Sequence, residues 1–537
     1  MAALLTLLPL VYAALASAQA STEVNWGNVT GTSNAPFPTD VGFLGKEQYN
    51  TVTPFNAQVD KINSSFPGSR WGVETRWTPR DAKGKNGSSD DIFRNLGTTS
   101  PYHVADDLFP ETHGKESVPE RCELQQVHIL HRHGARFPTS SAVEGAPLFG
   151  QVIANASKAG KLNATGELAF LNQWNYSLGA EVLVHQGTQE LFDAGVKHYY
   201  DYAKLLDGLP HRPIVRTTSQ SRMLDSARYW TLGFFGWDAP TKVDLEVLTE
   251  AKGQNNTLAP YYACTNANNP AFYIGDKLAN KWRSEYLANA TKRLQPMLKG
   301  VKLNTTLVYG MASMCAYETV GLGLSSFCPL FTKEEWEGFQ YDQDLQFQGD
   351  YGFMNPSGKA QGVGWVLEFL DRVQKQAFTG PVTGQNTTLN QNRTYFPFDQ
   401  GLYADFTHDS VITSVLTALN YTQFGAFLPA TKPDANRTYR SSRVTPFGAR
   451  LVFEVMSCKN GTSGNATSFI RTKINEAVIP MNKDQGCATR PDGLCNLNDF
   501  VLHQLRNAYK DSKFNTLCFG ENGKDFNVTG PVRNGTL

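Results

Sequence analysis

At Arg132-His133-Gly134-Ala135-Arg136-Phe137-Pro138 two arginines bracket a histidine, and far downstream stands the dipeptide His408-Asp409. Together these side chains form a complete set for cleaving a phosphate monoester. Phosphate oxygens repel nucleophiles because they carry the charge, so they must be neutralised before attack, and the arginine fork grips them bidentately while staying protonated. Arg132 and Arg136 flank His133 by one residue and by three, so one loop can surround one phosphoryl group. His133 is read as the nucleophile, attacking through a neutral imidazole nitrogen to give a phosphohistidine that water hydrolyses. Free histidine is largely protonated in acid, so the other ring nitrogen must be held as a donor, with a backbone carbonyl as the expected partner. Asp409 is read as the general acid for the departing alkoxide, and His408 as a further donor to phosphoryl oxygens. Gly134 is expected to let the backbone approach the ligand without a Cβ in the way. His131, the nearest rival nucleophile, is read as structural.

The elements that must present these groups are legible as strand, loop, helix. Leu124 to Leu130 is short, β-rich and partly alternating, and it ends at the glycine-containing motif loop. Leu402 to Phe406 repeats the scheme: a strand runs into Thr407-His408-Asp409, and Val411, Ile412, Val415, Leu416 and Leu419 form the apolar face of a following helix. The start of that helix would attract phosphate and lower the Asp409 carboxyl pKa, whereas bound phosphate would raise it. A helix is expected over 188–206, a strand at Pro213-Ile214-Val215-Arg216, a helix from Met223 to Phe235, a strand from Ala449 to Met456 and a hairpin from Ile470 to Ile479. Catalytic loops at strand ends imply an α/β fold, a mostly parallel sheet flanked by helices. Residues 236–399 carry mainly helical signals, including 281–298 and 363–377, and are read as a smaller helical domain inserted between two parts of the α/β domain, 95–235 and 400–537.

Composition sets the context. The 537 residues are 41% hydrophobic and 18% charged, with 49 basic and 49 acidic residues and no formal net charge. Such a balance advertises no nucleic-acid surface, and protonation of carboxylates in acid would make the molecule cationic, favouring phosphorylated small molecules there. Residues 1–20 read as a secretory signal peptide, although the usual positive charge near the start is missing, and 21–94 as an irregular extension. No later stretch is long and apolar enough for a bilayer, so a soluble, extracellular protein is expected. Acceptors for N-linked glycans recur at Asn28, Asn63, Asn86, Asn155, Asn163, Asn175, Asn289, Asn304, Asn386, Asn420, Asn436, Asn460, Asn465 and Asn527. The eight cysteines, Cys122, Cys264, Cys315, Cys328, Cys458, Cys487, Cys495 and Cys518, suit disulfides and show no zinc-ligand spacing, so neither metal nor cofactor is expected. Spacing alone leaves their connectivity open.

The stretch Gln125 to Thr139, read with Leu402-Tyr403-Ala404-Asp405-Phe406-Thr407-His408-Asp409, resembles the histidine acid phosphatases, most closely the secreted phytase-like branch of fungi. Further matching patches are Met314-Cys315-Ala316-Tyr317-Glu318-Thr319, Phe327 to Trp336, and Gln361-Gly362-Val363-Gly364, so the resemblance runs from about Asn95 to about Phe519. It implies a phosphoglycerate-mutase-like fold and a secreted acid phosphatase acting on phosphomonoesters, phytate included. It implies the pairs Cys122–Cys458, Cys264–Cys518, Cys315–Cys328 and Cys487–Cys495. It also implies a third phosphate-binding arginine, for which Arg222 is the closest match and Arg216 the second choice. Ser100-Pro101-Tyr102 matches a stretch that approaches the substrate mouth, with a turn packed on the core as the plainer reading. One departure bears on substrate: phytases of this type carry lysines just after the motif, whereas Thr139-Ser140-Ser141-Ala142-Val143-Glu144 has none and ends in an acid. The alternatives are a broad acid phosphomonoesterase with little phytate preference, a phosphoryl transferase of mutase type, and a non-catalytic secreted glycoprotein.

Overall fold

The computed structural model describes residues 92–520 apart from 142–143, 252–253, 270–271, 378–382 and 460–465. The expected signal peptide, nearly all of the N-terminal extension, and acceptors Asn28, Asn63, Asn86, Asn460, Asn465 and Asn527 lie outside the described residues. Eight strands build the main sheet: β1 (Cys122–Arg132), β2 (Ile214–Thr218), β3 (Asp244–Leu248), β4 (Leu402–Thr407), β5 (Arg450–Lys459), β6 (Ala466–Ile474), β7 (Ala477–Ile479) and β8 (Cys495–Asn496). Their order is β8-β6-β5-β1-β4-β2-β3, with β7 paired to β6. The neighbours β1, β4, β2 and β3 are parallel, and the β5 side of the sheet is antiparallel. The sheet is therefore mixed, and its parallel half is the one whose strand ends carry the motif residues.

Burial on both faces explains the near-continuous apolar runs of the parallel strands. Val127 and Ile129 of β1, with Leu402, Ala404 and Phe406 of β4, pack under α2 (His185–Tyr202) and α3 (Ser221–Phe235), against Leu191, Met223 and Trp230. Leu130 turns to the opposite face. There, α7 (Gly358–Gln374), α8 (Asp409–Ala418) and α9 (Leu497–Ser512) supply Val363, Leu367, Val411, Ile412 and Phe500. A separate apolar cluster joins α1 (Ala146–Lys158) and α5 (Thr305–Leu322) through Phe149, Ile153, Val308 and Met311, and α4 (Ile274–Tyr286) lies along α6 (Lys333–Asp350).

Two elements inside 236–399 belong with the sheet: β3 is its edge strand, and α7 packs on its face. Conversely, α1, outside that range, packs with α5 inside it. Helical periodicity marks helices but does not say which layer each will cover. The 363–377 helix begins earlier and stops at Gln374, where Lys375 takes a left-handed conformation. The expected hairpin forms from β6 and β7, turning at Asn475 and Glu476, both at positive φ.

The disulfides join Cys122 to Cys458, Cys264 to Cys518, Cys315 to Cys328 and Cys487 to Cys495. Cys122 and Cys458 are register partners on β1 and β5, linking positions separated by 336 residues. A cross-link across so long a loop removes much unfolded-chain entropy. Replacing both cysteines by serine is expected to cost about 2–5 kcal/mol, seen as a lower Tm in calorimetry, while room-temperature activity persists.

Candidate active site

Parallel register brings the two motif stretches together. Arg132 of β1 lies opposite Thr407 of β4, so the next residues, His133 and His408, emerge side by side at the same sheet edge. The His133 N–H donates to the Thr407 carbonyl at 3.2 Å, and the two imidazole centroids lie 5.9 Å apart. Asp409 follows as the first residue of α8, its carboxylate accepting from the Ser410 N–H at 2.8 Å.

His133 is almost wholly buried, and its Nδ1 lies 2.8 Å from the Gly134 carbonyl. A carbonyl can only accept, so Nδ1 carries the proton and Nε2 keeps its lone pair. Burial, then Arg132, Arg136, Arg222 and His408, push this imidazole well below its ordinary pKa. It is thereby held uncharged in acid that would protonate a free histidine.

Three guanidiniums surround it, each answered by a carboxylate. Arg132 Nη2 meets Asp409 Oδ2 at 2.5 Å, and its Nη1 donates to the carbonyls of Thr98 and Thr445 at 2.5 and 2.7 Å. Arg136 takes Glu144 with two nitrogens, at 3.0 and 3.3 Å. Arg222, in the first turn of α3, pairs with Glu181 at 2.7 Å. The Nε of all three is buried without a hydrogen-bond partner among the described residues. His408 Nε2 sits 2.9 Å from Glu250, which also accepts from Gln220, Tyr261 and the hydroxyl of Thr218. Burial would raise the Asp409 carboxyl, but Arg132, Arg136 and His408 outweigh it and hold it below its ordinary value.

The remaining expectations separate cleanly. Arg216 does not join the cup: it pairs with Asp405 and Glu368 at 2.7–2.8 Å in a buried network completed by Arg372 and Trp365. Its position inside β2, before the strand end, aims it into the sheet face. His131 stacks on Phe406 and bonds the Arg132 carbonyl at 2.8 Å, on the face covered by α2. Gly134 is needed for packing, because a Cβ there would lie 2.3 Å from the Gly187 carbonyl of α2. Around Ser100-Pro101-Tyr102 the chain braces the site: the Ser100 carbonyl accepts from Phe447, and the Tyr102 N–H donates to Glu190.

Glu181, Glu190 and Glu250 carry no motif and were not anticipated. Glu250 had one available signal, since it stands two residues past β3, at the same sheet end as the motif. Glu190 on α2 accepts from the Ala135 N–H at 2.8 Å and the Tyr102 N–H at 3.1 Å, fixing the motif loop from behind.

The chain matches the family model for the histidine phosphatase superfamily (branch 2) over residues 123–475. It is 35% identical to Phytase A of Aspergillus oryzae over 425 residues, 75% of this chain and 86% of that protein. With Phytase A of Penicillium oxalicum it shares 33% over 467 residues, 82% and 92% of the two chains. In fold it is similar to the phytase from D. castellii, with a TM-score of 0.66 at 22% identity, covering 86% of this chain and 99% of that one. The multiple inositol polyphosphate phosphatase of Bifidobacterium longum in its apo form aligns at TM-score 0.52 and 14% identity, over 74% and 94%. This chain belongs to the histidine phosphatase superfamily, branch 2, and is a phosphoric monoester hydrolase.

Two predictions follow from this geometry. Arg222→Ala is expected to lower kcat/KM on a monoester by roughly 10²–10³ with the smaller loss of stability, whereas Arg216→Ala removes a cation shared by the fully buried Asp405 and Glu368 and costs about 3–5 kcal/mol of stability. Steady-state kinetics beside thermal melts distinguish the two. Separately, burial lifts the Glu190 carboxyl from 4.5 to about 7, despite the Ala135 and Tyr102 N–H groups. Its folded value thus exceeds its unfolded one, so its contribution is complete below about pH 4.5 and is lost as pH rises through about 7. Melting curves from pH 4 to 8 should therefore show a shallower decline for Glu190→Gln than for the native chain.

Proposed function

We propose that this protein is a secreted acid phosphatase that hydrolyses phosphate monoesters, phytate among them, through a phosphohistidine on His133. The observation that carries the reading is the adjacency of His133, fixed with a free Nε2, to Asp409 at the neighbouring strand end, inside a ring of three arginines. Arg132, Arg136 and Arg222 would bind the phosphoryl oxygens, with His408 as a further donor. Nε2 of His133 attacks phosphorus, the P–O bond to the alcohol breaks, and the departing oxygen takes a proton from Asp409. Water then hydrolyses the phosphohistidine, with Asp409 now accepting the water's proton.

Asp409 must hold a proton at the first step, yet Arg132, acting against burial, holds its carboxyl below the ordinary value. Substrate supplies both remedies. The bound phosphate competes for the guanidinium and brings negative charge, which raises the carboxyl pKa. Below about pH 6 a monoester is largely the monoanion and carries a proton into the site that Asp409 can relay. The acid range therefore follows from the substrate's protonation as well as the enzyme's.

The phytases to which the chain is similar support phytate as a substrate. Secretion with N-linked glycans is supported by the leader-like first 20 residues, by four disulfides, and by exposed acceptors at Asn155, Asn163, Asn175, Asn289, Asn304 and Asn436. No helix among the described residues is long and apolar enough to cross a membrane.

Purified protein should release phosphate from phytate and from p-nitrophenyl phosphate at roughly pH 3–6. His133→Ala should abolish both activities. Asp409→Asn should slow phytate far more than the aryl ester, whose leaving group needs little protonation. Absence of phosphate release from either substrate across that range contradicts the reading.

A further inference from the structure

Helix α6 is remote in sequence from both motif loops, yet one face of it devotes three buried positions to polar side chains. Gln340, Gln343 and Asp344 stand at helical spacing and are almost wholly buried. Buried polar groups need partners, and here the partners lead to Arg132 along two routes. On the first, Gln343 Oε1 accepts from the Thr98 N–H at 2.7 Å and the Thr98 hydroxyl at 2.9 Å, while Gln340 Oε1 accepts from the Gly97 N–H at 3.3 Å. The fit is close: Gly97 has positive φ, and a Cβ there would collide with the Gln343 side chain. On the second, Asp344 Oδ1 accepts from the Ser441 N–H at 2.6 Å, the Ser441 hydroxyl at 2.7 Å and Gln340 Nε2 at 2.6 Å. The Ser441 carbonyl in turn accepts from the Thr445 N–H at 2.8 Å, closing the helical turn Ser441–Val444 that Thr445 ends.

Both routes finish at backbone carbonyls, those of Thr98 and Thr445, which accept from Arg132 Nη1 at 2.5 and 2.7 Å. The two hydrogens of Nη1 are thereby taken, and one of Nη2 goes to Asp409. The guanidinium also lies over the Phe447 ring, 4.7 Å from its centroid. What remains for a ligand, among the described residues, is Nε and the second Nη2 hydrogen.

Resting on the phosphatase reading above, we propose that Gln343 and Asp344 are positioning residues for the reaction: acting through Thr98 and Thr445, they fix which donors of Arg132 meet the phosphoryl group and at what angle. A guanidinium held by Asp409 alone would follow that carboxylate. Two carbonyls on Nη1 pin its plane instead, and they accept whatever the protonation of Asp409. That separation matters because Asp409 gives up and regains a proton within each turnover, and Arg132 must not swing with it.

The test uses the full chain, its Gln343→Ala and Asp344→Ala variants, and each of these combined with Arg132→Ala. kcat/KM on p-nitrophenyl phosphate and the calorimetric affinity for inorganic phosphate are measured in acid, well below each Tm. Misplacing a reacting group by about 1 Å costs on the order of 100-fold, so Gln343→Ala should lower kcat/KM by roughly 10–100-fold and weaken phosphate binding with it. Asp344→Ala should do the same with a lower Tm, since it also releases Arg437, whose Nε donates to Asp344 Oδ2 at 2.8 Å. In the Arg132→Ala background there is no guanidinium left to place, so the further loss should shrink to within about twofold, a coupling that a merely structural role does not produce. Variants that melt lower yet keep native kinetics while folded, or that lose as much without Arg132 as with it, overturn the proposal. Should Asp344→Ala not fold, Gln343→Ala decides alone. A native chain that releases no phosphate from the aryl ester overturns the phosphatase reading, and this proposal with it.

Discussion

A buried imidazole and three guanidiniums occupy one small volume, and most of the surrounding structure serves to make that tolerable. Burial, and then the positive charge around it, disfavour protonation of His133, so the cations that would bind phosphate also help to keep its imidazole lone pair available in acid. The Gly134 carbonyl fixes which nitrogen carries the hydrogen. Arginines crowded this closely repel one another, and Asp409, Glu144 and Glu181 each answer one of them, with Glu250 doing the same for His408. Each arginine is therefore compensated, and on the proposed reading an arriving phosphate would exchange partners rather than enter an uncompensated cationic hole. On the proposed reading that exchange would couple binding to proton delivery, because a guanidinium that phosphate would engage is one that holds the Asp409 carboxyl low.

The architecture supplies the precision this requires. β1 and β4 pair in parallel with Arg132 opposite Thr407, so the two motif loops leave adjacent strand ends. The first loop is held from behind by Glu190, and the glycine contact between Gly134 and Gly187 allows α2 to close on it. Beneath the site, Asp405 with Arg216, Arg372 and Trp365 forms a fully buried polar network that locks β4 to β2 and α7. Such a network is costly to break on one side, which suits it to fixing strand position.

Much of this was legible in the chain because the chemistry lies in contiguous stretches. Arg132, His133 and Arg136 share one loop, and His408-Asp409 follows a plainly β-like run. The carbonyl partner of His133 was inferable from what an acid-stable neutral histidine needs. Arg222 and Arg216 were separable only by geometry: Arg216 lies within β2 and turns into the sheet face, while Arg222 lies past the strand end and reaches the cup. Glu181 was invisible because a lone carboxylate in a loop has no pattern. The one signal for Glu250, its place just past β3, was hidden because β3 fell in a range read as helical. Glu144 was noticed as an acid out of place, but its clamp on Arg136 depends on Tyr317, which only the fold brings near. The disulfide pairing came from family resemblance and could not have come from spacing.

The central claim, that the cationic cup holds His133 neutral with its proton on Nδ1 in acid, is tested most directly by nitrogen NMR of histidine-labelled enzyme, assigned through His133→Ala and titrated from about pH 7 to 4. The structure predicts a neutral Nδ1–H signal that persists well below the usual histidine transition near 6.5. An imidazole that titrates to the doubly protonated form at about that ordinary value, or that carries its proton on Nε2, would contradict it.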